Sequence, residues 1–280
     1  MKKISRRSFL AAAAVSAAAL ALTACGGSAS TASSAAASSV AASSEAASTS
    51  AAAAELTTVE AGKLTMATNA TFPPYEMTTD AGDIEGIDVE TAQAIADKLG
   101  LELQIDDMDF DAALLSVQQG KADIVMAGVT VTDERKAVMD FSDSYATGIQ
   151  SIIVPEGSDI ASPDDLAGKK IGTQRGTTGY IYCSDDFGDE NVVAYDDGLT
   201  AVQALNNGQV DAVVIDNAPA QEFIAANPGL KILDTSYAEE DYAIGMAKGS
   251  SLEDAVNAAL KELKADGTLQ SIVDKYITAE

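Results

Sequence analysis

One sequence pattern occurs twice in this chain. The stretches VQQGKADIVMAG (117–128) and ALNNGQVDAVVID (204–216) each run from the end of a helical pattern through a glycine and an aspartate into a short apolar run. An apolar run of this length, bounded by turn residues, is typical of a buried strand. Because both halves carry the same helix end, turn and strand in the same order, the repeat predicts two similar lobes within one chain.

Strand-like and helix-like patterns alternate through both halves. Short apolar runs predict strands, and apolar residues three and four apart predict the helices between them. This alternation is the signature of an α/β fold in which each lobe is a mostly parallel sheet flanked by helices. We predict strands at 64–68, 101–105, 123–127, 170–173, 192–195 and 212–215. We predict helices at 89–99, 112–119, 178–184, 199–206 and 218–226, another that starts at the N-cap Ser162, and a C-terminal apolar stripe at Leu252, Val256, Leu260 and Leu263.

The first 24 residues have the pattern of an export signal. Basic residues open the chain, an apolar stretch follows from Phe9, and small residues precede Cys25. The residues LTAC (22–25) resemble a bacterial lipobox, so we expect cleavage before Cys25 and lipidation of its sulfur. The residues SRRSFL (5–10) also resemble a twin-arginine signal, which leaves the export route open.

Residues 26–55 are almost entirely Ala, Ser and Thr. They contain no large apolar residue beyond a single valine, so they cannot bury a core, and we interpret them as a tether. The expected organisation is a signal peptide at 1–24 and a lipidated cysteine with its tether at 25–56. The roughly 225 residues that remain are long enough for two lobes of about 100 residues each.

The composition argues against several classes of function. Residues 1–24 hold four of the 17 basic residues and none of the 43 acidic ones, so the exported chain is more acidic than the whole-chain charge of −26. Nucleic acid is therefore a poor partner. The chain has no histidine, so we expect no Ser-His-Asp triad, no metal site and no cofactor. Cys183 is the other cysteine; we expect no disulfide and interpret it as a helix core or surface thiol.

Only two arginines follow residue 24, Arg135 and Arg175. Each is expected in a short loop after a predicted strand. An arginine fork binds a carboxylate through two parallel hydrogen bonds, and free N–H groups at a helix start bind the same anion. Both arginines are therefore candidates for an anion site. The alternative is a solvated surface arginine, which is the favoured interpretation for Arg175.

Residues 128–130 and Asp216 follow the two repeated strands. In open α/β sheets ligands bind outside the carboxyl ends of the strands, so we expect both segments to face a common cleft. One side offers backbone N–H groups and Arg135, and the other offers a carboxylate. This polarity suits an α-amino acid zwitterion. Taken alone, Asp216 is equally well explained as the cap of the helix that follows it.

Several motifs occur in consistent order over residues 63–276 and carry a family resemblance. They are ATNATFPPYE (67–76), GIDVETAQAIADKLG (86–100), MDFDAALLSVQQGKADIVMAGVTVTDER (108–135), DFSDSY (140–145), IGTQRGTTGY (171–180), DAVVIDNAPA (211–220) and YAIGMAKG (242–249). Together they resemble the polar amino acid solute-binding proteins of ABC importers, the family-3 type with a two-lobed, type II periplasmic-binding fold. The resemblance implies that an amino acid binds in a cleft between the lobes.

The resemblance also implies roles for the charged ends of the cleft. Arg135 would grip the α-carboxylate of the ligand, helped by Thr130 and by the backbone and hydroxyl of Thr178. Asp216 would take the ammonium group, with backbone oxygen near Gly128.

Four further positions concern the ligand side chain. Phe72 and Phe110 match aromatic positions that flank it in relatives, although from the residues alone Phe72 is a loop anchor and Phe110 a core residue. Asn69 and Gln174 are neutral where some relatives carry an acid or a lysine. We therefore favour a neutral polar ligand such as glutamine. Arg175 and Glu76 are charged residues expected within reach of the ligand. An acidic or a basic ligand therefore stays an alternative.

Family members cross twice between lobes, and here the crossings are expected near 145–149 and 240–243. Lobe one would comprise 57–146 with 243–280, and lobe two 147–242. The resemblance implies closure of the lobes by a hinge motion and docking on a membrane permease. The expected protein is an extracytoplasmic, membrane-anchored monomer.

Two alternatives stay open. Some exported cyclohexadienyl or arogenate dehydratases share this fold and much of the motif set, and their chemistry needs a general acid. Glu76 and Asp216 are the candidates for that acid. The lipid anchor and tether favour a receptor beside a transporter over an enzyme. A ligand-sensing lipoprotein of the same fold is the other alternative.

Overall fold

The computed structural model describes residues 56–277, and these form alternating strands and helices. In chain order the strands are β1 (Lys63–Thr68), β2 (Thr71–Phe72), β3 (Glu76–Thr78), β4 (Ile84–Glu85), β5 (Glu102–Asp107), β6 (Ile124–Val125), β7 (Met139–Phe141), β8 (Ala146–Pro155), β9 (Ile171–Gln174), β10 (Val192–Tyr195), β11 (Ala212–Asp216), β12 (Leu230–Ile232), β13 (Ala238–Tyr242) and β14 (Gly245–Ala247). The helices are α1 (Ile87–Leu99), α2 (Phe110–Gln118), α3 (Asp133–Val138), α4 (Thr178–Phe187), α5 (Gly198–Asn206), α6 (Asn217–Ala226), α7 (Glu253–Ala265) and α8 (Thr268–Tyr276).

The first sheet has the strand order β5-β1-β6-β14-β7. β1 is parallel to both of its neighbours, and Met66 lies opposite Ile105 on one side and Ile124 on the other. Residues 64–68 are buried on both faces, as expected for a strand that helices cover from both sides. β14 is antiparallel to β6 and to β7.

The second sheet has the order β10-β9-β11-β8-β12, and β13 also pairs with β8. β9 is parallel to β10 and β11. β8 is antiparallel to β11, β12 and β13. A small antiparallel sheet, β2-β3-β4, lies between β1 and α1 in the sequence.

The predicted two-lobed α/β fold is confirmed, but its sheets are mixed and not mostly parallel. The parallel pairs come from strands whose connections contain a helix, such as β1, β5 and β6. The antiparallel pairs involve β8, β13 and β14, where the chain passes from one sheet to the other and back. Sequence did not reveal this because a fully buried antiparallel strand is as continuously apolar as a parallel one.

The two passages between the sheets lie side by side. β8 and β13 pair with Ala146 opposite Tyr242 and Gln150 opposite Ala238. The backbone N–H of Tyr145 donates to the carbonyl of Tyr242 at 2.9 Å just before β8 begins. The segments predicted as lobe crossings, 145–149 and 240–243, fall on this pair of strands or at its end.

Helices α1, α7 and α8 cover the first sheet. The C-terminal stripe is confirmed: Val256, Leu260 and Leu263 are buried in α7, in one core with Leu64 of β1 and Ile95 of α1. Burial of one such side chain stabilises the fold by roughly 1.5–3 kcal/mol. The second lobe has its own core, built largely from α4, α5, α6 and the apolar residues of β8 and β11.

Helix α1 begins at a point where only glycine fits. Gly86 has φ 137°, and a Cβ there would lie 2.2 Å from the carbonyl oxygen of Tyr75. The backbone of Gly86 therefore packs directly against the backbone of Tyr75 and Glu76, where α1 begins. At the other end Gly100 has φ 69° in the left-handed region, as its predicted C-terminal position requires.

The helix predicted to start at Ser162 is a single 3-10 turn, Pro163–Leu166. Its start is as predicted, because Ser162 and Asp165 form a capping box. The turn does not continue because Gly168, with φ 75°, turns the chain into β9. A second 3-10 turn covers Asp189–Asn191.

The predicted signal peptide, Cys25 and the tether lie outside the described residues. Within 56–277, no helix is both long enough and apolar enough to span a membrane. Cys183 is buried in α4 and contributes to the core of the second lobe, so of its two predicted locations the structure shows the helix core.

Candidate functional site

A cavity lies between the two sheets at the carboxyl ends of several strands. Asn69 follows β1, Gln174 ends β9 and Asp216 ends β11. The cavity is partly open to solvent, and its volume of about 440 Å³ includes some of that solvent space. The structure brings all nine residues predicted from the sequence to this cavity: Asn69, Phe72, Phe110, Gly128, Thr130, Arg135, Gln174, Thr178 and Asp216. Their roles toward a ligand stay a prediction.

Arg135 lies in the first turn of α3 and not in a loop, because Thr132 caps that helix through the backbone N–H of Arg135. Its side chain is 8% exposed. Its guanidinium donates to the carbonyl of Thr130 at 2.8 Å and to the carbonyl of Gly176 at 3.1 Å. It also lies 5.4 Å from the centre of the Phe110 ring.

The buried charge of Arg135 has no ion-pair partner among residues 56–277. Burial lowers its pKa, but an arginine remains protonated in proteins. A buried cation with only carbonyl acceptors is costly unless an anion joins it. The guanidinium of Arg135 is therefore available to form an ion pair with the carboxylate of a ligand.

Asp216 ends β11 and caps α6 at the same time. One carboxylate oxygen accepts from the N–H of Ala218 at 3.0 Å, and the other accepts from the N–H of Ile149 at 2.7 Å. Burial raises the pKa of Asp216 to about 6, and the hydrogen bonds to Asp216 oppose that rise. The helix-cap interpretation and the cavity position therefore both hold, and Asp216 is mostly ionised at neutral pH.

The hydroxyls of Thr130 and Thr178 donate to a residue that sequence reasoning missed. Both bond the same carboxylate oxygen of Glu240, each at 3.0 Å, and the side-chain amide of Gln150 donates to that oxygen as well at 3.0 Å. Glu240 is buried. The two hydroxyl protons are thus engaged here, so the donors left for an anion are Arg135 and backbone N–H groups.

Those backbone donors come from two places. Thr130 lies opposite Tyr242 in an antiparallel bridge. The hydrogen bonds of this bridge are made by the flanking residues, from Val131 to Asp241 and from Ala243 to Val129, so Thr130 and Tyr242 do not bond each other. The N–H of Thr130 therefore points away from β13. Thr178 is the first residue of α4, and the first N–H groups of a helix have no partner within it.

Asn69 and Gln174 bond each other. The amide of Gln174 donates to the side-chain oxygen of Asn69 at 2.8 Å, and the amide of Asn69 donates to the carbonyl of Met108 at 2.9 Å. Thr71 also donates to Asn69 at 2.9 Å. Much of the polar capacity of these two neutral side chains is therefore used within the protein.

Three aromatic residues, Phe72, Phe110 and Tyr242, line the cavity. Phe72 stacks on Tyr75 at 5.7 Å between ring centres, and Tyr75 meets the edge of Tyr242 at 5.5 Å. Gly128 has φ 57°, and a Cβ there would lie 2.7 Å from a ring carbon of Phe72. Phe110 belongs to the buried core around α2 and also lines the cavity, and its contact with a ligand side chain stays a prediction.

The other arginine lies elsewhere. The side chain of Arg175 is 55% exposed and contacts Asp196 at 3.4 Å, and it is not among the residues that line the cavity. Its location agrees with the surface interpretation. A salt bridge this exposed contributes little to stability.

Glu76 lines the cavity, and its carboxyl group is completely buried. Burial and the neighbouring carboxyl of Asp88 raise the pKa of Glu76 well above its ordinary value. Burial likewise raises the pKa of Asp88, to about 6. No group of three or more His, Cys, Asp or Glu side chains in the described range is arranged to hold a metal ion.

Sequence reasoning missed Gln150, Tyr242 and Glu240. Gln150 was detectable as the polar residue at the start of a long apolar run, and Tyr242 opens a motif that carries the family resemblance. Glu240 lies in an acidic stretch of a chain that is acidic throughout, so nothing in the sequence distinguishes it. Its position depends on the pairing of β13 with β8.

Comparisons with known proteins agree with this geometry. The L-cystine-binding protein TcyJ of Escherichia coli (strain K12) is 34% identical over 226 residues, which cover 79% of this chain and 85% of that protein. The arginine-binding extracellular protein ArtP of Bacillus subtilis (strain 168) is 34% identical over 228 residues, covering 78% and 87%. The solved structure of an ancestral arginine-binding protein bound to glutamine has a TM-score of 0.74 and 41% identity, and the match covers 78% of this chain and 99% of that one.

The sequence model of one family, described as bacterial extracellular solute-binding proteins, family 3, matches residues 64–279. The match includes both sheets and every residue described here as lining the cavity. This chain belongs to family 3 of the bacterial extracellular solute-binding proteins.

Proposed function

We propose that this protein is the extracytoplasmic substrate-binding component of an ABC importer for a polar amino acid. It binds the zwitterion between its two lobes and delivers it to a membrane permease. Lobe one comprises 57–146 with 243–280, and lobe two comprises 147–242, with β8 and β13 as the connecting strands. Closure follows a hinge motion at these strands.

One observation carries the proposal: Arg135 and Asp216 are both buried at one cavity, and neither is ion-paired within the described part of the chain. Each buried charge is unfavourable without a counter-charge. An α-amino acid supplies both counter-charges at once, with its carboxylate on Arg135 and its ammonium on Asp216. Thr130 and Thr178 add backbone N–H groups, and backbone oxygen near Gly128 supports the ammonium.

The ligand side chain we favour is neutral and polar, such as that of glutamine. Asn69 and Gln174 supply polar but uncharged groups, and Phe72 and Phe110 supply apolar surface on either side. The relatives include a cystine-binding and an arginine-binding protein, and an ancestral arginine-binding protein has been solved with glutamine bound. Binding sites of this family thus accommodate side chains of more than one charge.

The residues up to Cys25 support a location on the outer side of the cell membrane. We propose cleavage before Cys25, lipidation of that cysteine, and attachment to the cell membrane through the Ala- and Ser-rich tether at 26–55. A tether of about thirty residues is long enough to let a monomeric receptor reach its permease. No nucleic acid, metal or cofactor takes part.

Isothermal titration calorimetry tests the proposal. The purified protein is unfolded and refolded to remove bound ligand, then titrated with the twenty amino acids and cystine. We expect binding at micromolar concentration or tighter for a polar amino acid, and no binding by Arg135→Ala or Asp216→Ala. Absence of binding across the panel contradicts the proposal.

A second function has one observation in its favour. Burial raises the pKa of Glu76 well above its ordinary value, and Glu76 lines the cavity, so it is a candidate for the general acid of a dehydratase. Incubation with prephenate or arogenate, followed by ultraviolet absorbance of an aromatic product, decides between enzyme and receptor. The relatives compared above are named as binding proteins, which favours the receptor.

A further inference from the structure

Glu240 is a buried acidic residue on β13, one of the two strands that pass between the sheets. The side chains of this strand alternate, so that Glu239 is exposed and Glu240 is buried. Tyr242 lies two residues further on, therefore on the same face of the strand as Glu240, and it lines the cavity. A glutamate is rarely this buried unless other groups pair with it. The protein must therefore supply donors to Glu240 beside the cavity.

Three donors meet at one oxygen of Glu240. They are the hydroxyls of Thr130 and Thr178 and the side-chain amide of Gln150, each at 3.0 Å. Thr130 follows β6 of the first sheet, and Thr178 begins α4, which packs on the second sheet. The other oxygen of Glu240 is buried and has no donor among residues 56–277. A single carboxylate oxygen thus joins the two sides of the cavity.

The two threonines that Glu240 holds also belong to the proposed site for the ligand α-carboxylate. The N–H of Thr130 points away from β13. The N–H of Thr178 lies in the first turn of α4, where such groups have no partner within the helix. Arg135 donates to the carbonyl of Thr130 at 2.8 Å, so a shift of Thr130 also moves the guanidinium. The placement of all three donors therefore depends on how the threonines are held.

The threonine hydroxyls cannot serve Glu240 and a ligand at the same time. A hydroxyl has one proton to donate, and the hydroxyls of Thr130 and Thr178 both direct it to Glu240. Their oxygens are 3.4 Å apart, and each lies 3.0 Å from the same oxygen of Glu240. Three oxygens this close repel one another unless protons lie between them. The hydroxyl protons therefore stay on the side of Glu240, and the threonines meet a ligand through their backbone.

The negative charge of Glu240 also acts on Arg135. Burial lowers the pKa of Arg135, and the charge of Glu240 is the main influence that opposes this effect. Glu240 therefore stabilises the guanidinium in its buried position. The same charge repels the carboxylate of a ligand, and Glu240 is not among the residues that line the cavity. Its effect on a ligand is therefore indirect.

We propose that Glu240 is a positioning residue of the α-carboxylate site: it accepts a hydrogen bond from a threonine on each side of the cavity and so places the two N–H groups and Arg135 for the ligand. Glu240 does this without contact with the ligand, and the Thr178 hydroxyl acts through Glu240. The inference rests on the proposed function, because it requires an amino acid whose carboxylate is bound at Arg135.

Calorimetry with L-glutamine, or with L-arginine if the wild-type protein does not bind glutamine, tests this role. Glu240→Leu has no acceptor and leaves buried donors unpaired, so it should weaken binding at least about tenfold. Glu240→Gln keeps an acceptor oxygen at the same chain length. Its lost charge both relieves repulsion of the ligand and destabilises Arg135, so affinity should stay within about threefold of wild type. Glu239→Leu changes the exposed neighbour on the same strand and should stay within about twofold.

A double-mutant cycle separates positioning from a merely structural role. Thr178→Val removes the hydroxyl and keeps the backbone N–H. In the wild-type background it should weaken binding by about 3- to 10-fold, because one hydrogen bond to Glu240 is lost. In the Glu240→Leu background it should weaken binding by less than about twofold further, because the hydroxyl then has no carboxylate to bond. A general loss of stability would not make the effect of Thr178→Val depend on residue 240.

Thermal unfolding of each variant shows whether it is folded. If Glu240→Leu does not fold, Glu240→Asp takes its place in the comparison with Glu240→Gln. Aspartate keeps the charge but is one methylene shorter, so it cannot reach both threonines. It should therefore bind at least about fivefold more weakly than Glu240→Gln. An Asp variant that binds as well as the Gln variant refutes the positioning role.

The other failures are distinct. Wild-type affinity in Glu240→Leu, or an equal loss in the Leu and Gln variants, refutes the role of the acceptor oxygen. An equal effect of Thr178→Val in both backgrounds means that the hydroxyl contacts the ligand directly, which also refutes the inference. In these cases the wild-type protein binds and the receptor function stands. If the wild-type protein binds neither amino acid nor any other in the panel above, the proposed function fails and this inference fails with it.

Discussion

The side-chain amide of Gln174 donates a hydrogen bond to the side-chain oxygen of Asn69 at 2.8 Å. Asn69 follows β1 of the first sheet and Gln174 ends β9 of the second, so this bond joins the two lobes across the cavity. The bond from Arg135 to the carbonyl of Gly176 at 3.1 Å also connects them. The two sides of the cavity are therefore joined by hydrogen bonds within the protein itself.

Gln174→Leu should weaken ligand binding by about 2- to 10-fold. It removes one bond that exists only when the lobes are together, and a hydrogen bond contributes about 0.5–1.5 kcal/mol net. Calorimetric affinity for the amino acid identified in the panel is the measurement. Gln209→Leu, a substitution of an exposed glutamine, is the matched control and should not change affinity. Equal affinities for the two variants would contradict the role of the bond.

Arg135→Ala should weaken binding by about 2–5 kcal/mol, the range for loss of one partner of a buried charge pair. Affinity should thus fall by about 30-fold to several thousandfold. Arg175→Ala provides the control, because Arg175 is an exposed arginine outside the cavity. It should leave affinity within about twofold. A loss below about 0.5 kcal/mol in Arg135→Ala would exclude Arg135 as the carboxylate ligand.

Binding should weaken as the pH falls below about 6. The pKa of Asp216 in the empty site is raised to about 6, and an ammonium beside it lowers that pKa in the complex. Asp216 is thus ionised at neutral pH with or without ligand, and below about pH 6 the ligand must displace its proton. Affinity should fall by up to tenfold per pH unit, as measured by calorimetry from pH 7 to 4.5.

Asp216→Asn separates the two roles of this residue. Asparagine caps a helix about as well as aspartate, so the variant should keep the bond to Ala218 and the cap of α6 while it loses most of its affinity. Its amide nitrogen cannot accept from the N–H of Ile149, so a smaller loss of thermal stability than in Asp216→Ala is expected. Asp216→Ala should lose affinity and about 1 kcal/mol of stability. If Asp216→Asn binds normally, Asp216 is a helix cap and nothing more.

The sequence predicted most of this fold because its periodic signals are local. Helix α1 with its C-terminal Gly100, the C-terminal stripe on α7 and the strand 192–195 are all confirmed. Strand direction was not predictable, because β8 and β14 are buried runs whose antiparallel pairing is set by distant parts of the chain. The single turn after Ser162 was missed because its cap is identical to that of a longer helix.

The candidate site divides in the same way. Arg135 and Asp216 were predictable because the repeated pattern places each after a strand at the same edge of a sheet. The hydrogen bonds of the Thr130 and Thr178 hydroxyls to Glu240 could not be predicted. They depend on the register of β13, which places Glu240 beside these hydroxyls. The raised pKa of Glu76 was equally hidden, because it depends on burial beside Asp88, a residue of another element.

Glu76→Gln should make the free energy of unfolding less sensitive to pH. The pKa of Glu76 is raised in the folded protein, so folding favours its protonated form. Its contribution to stability is complete below the unfolded-state pKa, near 4.3, and is lost as the pH rises toward the folded-state pKa. Wild-type stability should therefore fall by up to about 1.4 kcal/mol per pH unit across that window.

Gln at position 76 does not titrate, so the variant lacks this loss and its stability advantage over the wild type should grow with pH. Urea unfolding of both proteins from pH 4 to 8 without ligand measures the difference. Asp88 titrates in both and contributes to both curves, with its pKa raised to about 6 in the wild-type protein. Parallel stability curves for the two proteins would mean that folding does not raise the pKa of Glu76.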